Sequence, residues 1–270
     1  MLLSEVYNKA PYSSSSENIA LLLSILKAFP PAEPTLKRFA NDCISWSSTH
    51  SDYPSGDPTL HHAIGAIYAS SGEAYDAERH LLLGTPQSAP LLASLHYQWY
   101  TLDSPHTASI YASRSVLPYL ILGNLSSATA SLATFTSALT TSNPNLTTQS
   151  IDSSKSSIRI FPSLPLLNFL SLLLLACTKS DKGLFSQLCK HYTPHLKEAD
   201  ELWSEALANI GEVWFNIKIP KQGGNPLFDM MSSMMFGGGA KTGNTPRAGT
   251  PKPKEVKAVE PKPPVAMDLD

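Results

Sequence analysis

The stretch AIYASSGEAYDAERHLLLG, residues Ala66–Gly84, holds two short apolar faces separated by a Gly72-Glu73 turn, with small side chains where larger ones would be expected. Such a stretch is either one wall of a pocket or one rung of a stack of helices. Self-similarity decides for the rung. Tyr68, Gly72, Ala77 and Leu81 recur 51 residues later as Tyr119, Gly123, Ala128 and Leu132 at unchanged spacing. In a helical hairpin an aromatic closes the first helix, glycine opens the turn, and a small residue lets the second axis approach to about 8–10 Å. Glu78 and Arg79 then face solvent or the neighbouring pair.

Ile64-Gly65 stands ahead of Tyr68, and Ile210-Gly211 stands ahead of Trp214 in the same way. The spacing is that of tetratricopeptide-type helix pairs, whose period is about 34 residues. An offset of 51 leaves room for an additional helix between copies. The expected fold is therefore all-α, an irregular α-solenoid of antiparallel helix pairs.

Helical periodicity continues on both sides. Helices are expected over Leu2–Lys9, Glu17–Phe29, Thr35–Ser48, Pro58–Ser70, Ala74–Leu83, Ala89–Tyr100, Pro105–Leu122, Ser126–Thr140, Leu164–Cys177, Lys182–His191 and Ala199–Phe215. Asp57-Pro58 is a strong helix start, because the carboxylate accepts first-turn amides while proline has no amide to leave unpaired. Ser104-Pro105 is expected to act likewise. Thr141–Ser157 is rich in Ser, Thr and Asn, and the IRIF that follows, Ile158–Phe161, alternates as a strand does. A small β-hairpin or single strand is expected near 141–161. From Gly237 the chain is rich in Gly, Pro and Lys with almost no large apolar residue, so 237–270 is expected to be a disordered tail. The implied organisation is an N-terminal part of the solenoid over 1–140, a linker over 141–161, a C-terminal part with a partner-binding segment over 162–236, and the tail.

Composition narrows the chemistry. Of 270 residues 16% are charged, the net charge is -2, and the cations are spread thinly, which argues against nucleic acid as a partner. Three cysteines without a CxxC pair suit reduced thiols in the cytosol, where sequons at Asn124 and Asn145 stay unmodified. MLLSEVYNKA lacks the basic start of a secretory signal. The longest apolar run, Leu164–Cys177, contains Pro165 and Asn168 and falls short of the roughly 20 residues of a membrane span. It is expected as a buried helix, without membrane insertion.

No catalytic, cofactor or metal residues are assigned. His61 and His62 are adjacent, hence about 100° apart on a helix, and converge poorly with Glu78 and His80 on one ion. Cys189–His195, CKHYTPH, is expected as a helix end in which Pro194 keeps His191 and His195 out of helical register. Neither a GxSxG elbow nor a Walker loop occurs, and pairs such as Asp200-Glu201 sit on ordinary helix surface.

The end of the stack is different. In Glu201–Gly239, Leu202, Trp203, Leu207, Ile210, Val213, Trp214 and Phe215 cover an arc too wide for a surface helix, and Pro226–Phe236 adds aromatics and four methionines. Methionine and aromatic side chains are common on recognition surfaces. Trp203, Trp214, Phe215, Ile217, Ile219, Leu227 and Phe228 are the candidate partner anchors, with folding back onto the last groove as the competing reading.

Four segments, FPPAEPTLKRFANDCISWSS (29–48), YPSGDPTLHHAIGAIYASSGEAYDAERHLLLG (53–84), FPSLPLLNFLSLLLLAC (161–177) and NIGEVWFNIKIPKQGGNPLFDMMSSMMFGGG (209–239), together resemble the fungal members of the Golgi-to-ER traffic factor four family. The resemblance implies a non-enzymatic α-solenoid adaptor in the cytosolic route that delivers tail-anchored membrane proteins to the ER. It further implies an N-terminal half that docks the targeting ATPase and a C-terminal half, here Leu164–Phe236, that holds a ubiquitin-like adaptor protein. Such a complex helps to pass the client's transmembrane helix from an upstream chaperone to the ATPase. Family members carry further helices ahead of the position of Met1, and these contribute to the ATPase-docking face. Without the resemblance two other readings stay open: a helical-repeat subunit of another regulatory complex, and a metal-dependent hydrolase on a helical scaffold.

Overall fold

The computed structural model describes residues 7, 14–30, 33–153, 156–199 and 201–217. The expected tail over 237–270, and the first expected helix apart from Tyr7, lie outside the described residues. The helices run α1 Ser16–Ala28, α2 Leu36–His50, α3 Pro58–Ser70, α4 Ala74–Leu81, α5 Ser88–Tyr100, α6 Ala108–Ile121 and α7 Leu125–Ser142. A two-stranded antiparallel sheet follows, β1 Gln149–Ser153 and β2 Ser156–Ile160, paired from Gln149 opposite Ile160 to Ser153 opposite Ser156. Then come α8 Pro165–Lys179, α9 Lys182–His191, α10 Thr193–Glu198 and α11 Glu201–Phe215. The chain is the expected all-α solenoid, with its small hairpin within the expected 141–161 interval.

The repeated residues build the repeated turns. Gly72 (φ +76°) and Gly123 (φ +73°) adopt the left-handed conformation. The Glu73 amide donates to the Tyr68 carbonyl at 2.9 Å, and the Asn124 amide donates to the Tyr119 carbonyl at 2.8 Å. These are Schellman closures, in which the left-handed residue satisfies carbonyls that the helix end would leave orphaned. Ala77 and Ala128 are wholly buried on the second helix of each pair. Gly65 completes the first pair, since a Cβ there would stand 2.7 Å from Leu81 Cγ. The Tyr119 hydroxyl donates to the Leu81 carbonyl at 3.0 Å and so stitches the second pair to the first.

A third turn of this kind joins α8 to α9, and it uses serine. Ser180 has φ +48°, and the Asp181 amide donates to the Ala176 carbonyl at 3.3 Å. Of the copy expected at Ile210-Gly211-Trp214, α11 supplies the first helix, and the positions of its second helix lie outside the described residues. No second helix follows α11 among the described residues; the chain turns at Asn216 (φ +51°), and the Ile217 amide donates back to the Gly211 carbonyl at 3.0 Å.

One local expectation is corrected. Asp57 caps α3 as expected, accepting from Thr59 and Leu60 at 2.8 and 3.2 Å, but Ser104 makes no capping bond. Asp103 Oδ1 takes the Ser104 amide, and the Thr107 hydroxyl donates to the Ser104 carbonyl. These local bonds tighten Pro105–Thr107 into a 3-10 turn, so α6 starts at Ala108. The helix end expected in Cys189–His195 is present: α9 stops at His191, and Pro194 sits in the first turn of the separate α10. A missing amide leaves nothing unsatisfied at that position.

Candidate functional site

The C-terminal half carries a groove walled by the hairpin on one side and by α7 and α8 on the other, with a volume of about 400 Å3. Leu132, Thr136, Ile158, Phe161 and Leu174 are among its lining residues. Ile151 pairs with Ile158 across the strands, so both lie on one face of the hairpin; Ile151 is 59% exposed. The hairpin is held rigidly where it meets α8. The Asn168 amide group closes a two-way clasp on Phe161, accepting from its N–H and donating to its carbonyl, both at 2.8 Å. Arg159 donates to Thr140 Oγ1 at 3.0 Å and fixes β2 to α7. Sequence reasoning missed this groove. Its only local signal was the alternation of Ile158–Phe161, and most of its wall comes from α7 and α8.

Of the seven candidate anchors, four lie among the described residues, and all four pack within the chain itself. Trp203 is buried with its ring 6.2 Å from that of Phe169. Phe215 stacks on Phe185 at 4.5 Å, and Ile217 is buried beside Gly211. Trp214 is half-buried, and its indole N–H donates to the Leu120 carbonyl at 2.8 Å, tying α11 to the end of α6. The broad apolar arc of α11 is thus explained largely by core packing. Ile219, Leu227 and Phe228 lie outside the described residues.

In the N-terminal half the polar side chains form buried pairs instead of a convergent site. His61 Nε2 is 2.9 Å from the Ser55 carbonyl, which only accepts, so His61 carries its proton there and presents Nδ1 as an acceptor. His80 Nδ1–H donates to it at 3.0 Å. Burial pushes the His80 pKa down to about 4, helped by His61 and Arg79, and lowers that of His61 as well. Both rings are neutral at physiological pH. His62 turns away to Ser88 Oγ at 2.8 Å, as the divergence of adjacent helical residues requires. Among the described residues no group of three or more His, Cys, Asp or Glu side chains is placed to hold a metal ion.

Glu78 faces the neighbouring pair. It accepts from Arg114 at 2.6 Å and lies 3.4 Å from His96 Nε2. Burial would raise its pKa, but His96 and Arg114 outweigh that and hold it below the ordinary carboxylate value. Cys43, Cys177 and Cys189 are buried with free thiols, and desolvation pushes each pKa up to about 12. None of the three supplies a thiolate near neutral pH. No helix among the described residues is long and apolar enough to cross a membrane.

Comparison with known proteins bears out the resemblance carried by the four segments. The family model Golgi to ER traffic protein 4 matches residues 1–235. Golgi to ER traffic protein 4 of Aspergillus fumigatus is 48% identical over 280 residues, covering 100% of this chain and 79% of that protein. The Schizosaccharomyces pombe protein of the same name is 35% identical over 88% of this chain and 76% of its own length. A crystal structure of C. therm. Get4 superposes with a TM-score of 0.79 at 44% identity, over 91% of this chain and 78% of that one. Sequence and fold agree along nearly the whole chain, which belongs to the Golgi to ER traffic protein 4 family.

Proposed function

We propose that the chain is a non-enzymatic scaffold of the cytosolic route that delivers tail-anchored membrane proteins to the ER. Its C-terminal half holds a ubiquitin-like adaptor protein, and its N-terminal half docks the targeting ATPase. Membership of a Golgi to ER traffic family supports the traffic role. The observation that carries the scaffold reading is the groove beneath the hairpin, where Ile151 is exposed beside its strand partner Ile158, which lines the cleft with Leu132, Phe161 and Leu174 on a rigid frame. Exposed apolar side chains on a preformed surface favour association, because little ordering entropy is lost on binding. The four described anchors contribute by fixing the α11 end against α6, α8 and α9, so the partner contacts the frame that they support.

The test is capture from cytosol with the full chain, followed by mass spectrometry. Wild type is expected to recover a ubiquitin-like protein, and Ile151→Asp is expected to lose it while retaining the helical circular dichroism signal. Recovery of the same ubiquitin-like protein by both would remove the groove from the reading. Recovery of no ubiquitin-like protein by either would remove the partner.

A further inference from the structure

A second recess, of about 580 Å3, opens on the N-terminal half between α4, α5 and α6. Its walls are aromatic. Tyr75 is 76% exposed, an unusual position for so large a ring, and its ring lies 5.6 Å from that of Trp99 at an angle of 50°. The Arg114 guanidinium stacks over both rings, at 5.3 Å from the Trp99 centroid and 5.8 Å from that of Tyr75. Its charge is matched by Glu78 beneath. Tyr111 closes the far wall with its hydroxyl donated to Asp103 at 3.0 Å. Glu73 and Asp76 line the opening with Lys37 as their shared cation, and Asp103 stands behind Tyr111. The recess thus combines flat aromatic faces, held in place by a stacked arginine, with a surplus of carboxylates around it.

This is the chemistry that receives a proline-rich segment. Proline rings pack on tyrosine and tryptophan faces, the polyproline II backbone loses little entropy on docking, and interspersed cations pair with carboxylates at the rim. The chain carries such segments at Pro251-Lys252-Pro253-Lys254 and Pro261-Lys262-Pro263-Pro264. Between residues 241 and 264 six cationic side chains stand against two acidic ones, Glu255 and Glu260. The reach is sufficient. The end of α11 is tied to Leu120 on α6 by Trp214, and Tyr111 lies nine residues earlier on the same helix, about 14 Å at helical rise. The 34 residues from Ile217 to Pro251 span roughly 30 Å even at coil dimensions.

We infer that the Tyr75–Trp99–Tyr111 recess docks the chain's own Lys-Pro segment, residues 251–264. Docked there, the segment covers the aromatic face of the N-terminal half, and a partner that uses this face must displace it.

The experiment uses the full chain with Ala258→Cys carrying a nitroxide. Labelling is selective because Cys43, Cys177 and Cys189 are buried. In a nitrogen-15 spectrum the Trp99 indole signal, assigned by its loss in Trp99→Phe, is expected to weaken severalfold relative to the reduced label. The other three indoles serve as reference. Tyr75→Ala, or the triple change Lys252→Ser, Lys254→Ser and Lys262→Ser, should restore it. A Trp99 signal at full strength in the labelled chain overturns the proposal, as does weakening that neither set of changes relieves. A mixture of nitroxide-bearing unenriched chain and enriched unlabelled chain separates the remaining case. Weakening of Trp99 in that mixture would mean that the occupant is a second copy, which overturns docking within one chain.

Discussion

Ala77 is wholly buried on α4, one turn before Leu81, which fills the space left by the missing Cβ of Gly65 on α3. A larger side chain there has no space to enter without moving one helix. Ala77→Leu is expected to lower unfolding stability by roughly 1–3 kcal/mol, the usual cost of overpacking. Denaturant titration of the two proteins reads it, and equal midpoints would contradict the packing described. Residues of this kind were legible because their spacing is local: Tyr68, Gly72, Ala77 and Leu81 fall within one hairpin and recur in the next. The pairing of Glu78 with Arg114, 36 residues on, leaves no such trace. Nothing local distinguishes Glu78 from Arg79, yet Glu78 is largely covered while Arg79 stays at the surface.

At the scale of elements, the three left-handed turns that join paired helices separate what was legible from what was not. Gly72 and Gly123 announce themselves, whereas Ser180 performs the same task with a side chain that does not advertise it. The backbone cost of that choice can be measured cleanly. A Cβ at Gly72 or Gly123 would meet nothing within 4 Å, so Gly72→Ala and Gly123→Ala change backbone strain without steric clash. Each is expected to destabilise by about 1 kcal/mol, and Ser180→Gly to stabilise by a few tenths up to about 1 kcal/mol. Thermal unfolding of the three variants checks both signs; a destabilising Ser180→Gly would mean that its hydroxyl matters more than its backbone. The attachment of α11 is a second case. Trp214 joins it to α6 through a bond spanning 94 residues, and loss of that side chain should loosen the element. Trp214→Ala is expected to cost roughly 2–4 kcal/mol, and Trp214→Phe, which keeps most of the packing and drops the hydrogen bond, about 1 kcal/mol. Chemical denaturation distinguishes this from a surface anchor, for which both variants would unfold like wild type. The width of the α11 apolar arc was visible in the sequence; that α6, α8 and α9 pack against it depends on the path of the chain through the hairpin, which periodicity does not encode.

Across the whole molecule, the core runs without interruption from the Tyr7–Trp46 contact, with ring centroids 5.2 Å apart, to Phe185 on Phe215. Stability is therefore shared among rungs, and a polar pair buried in one rung loads the rest. His61, His80 and His96 are such groups, each held neutral chiefly by burial, with the His80 pKa at about 4. The unfolded chain protonates its histidines near 6.5, whereas folded His80 resists until about 4. Between those values the unfolded state binds more protons, so the stabilisation is complete above pH 6.5 and is lost progressively as the pH falls towards 4. For one histidine the loss across that window is a few kcal/mol at most, and the other two add in the same direction. The urea midpoint is expected to fall steadily from pH 7 to pH 5, before most carboxylates titrate, and to fall less steeply in His80→Gln. A flat midpoint over that range would mean that water reaches these rings and that the first rungs are looser than their packing implies. Because every rung borrows its buried face from a neighbour, the acid transition should appear in Trp203 and Trp214 fluorescence at the same pH as in the N-terminal half, although the histidines that cause it lie in α3, α4 and α5.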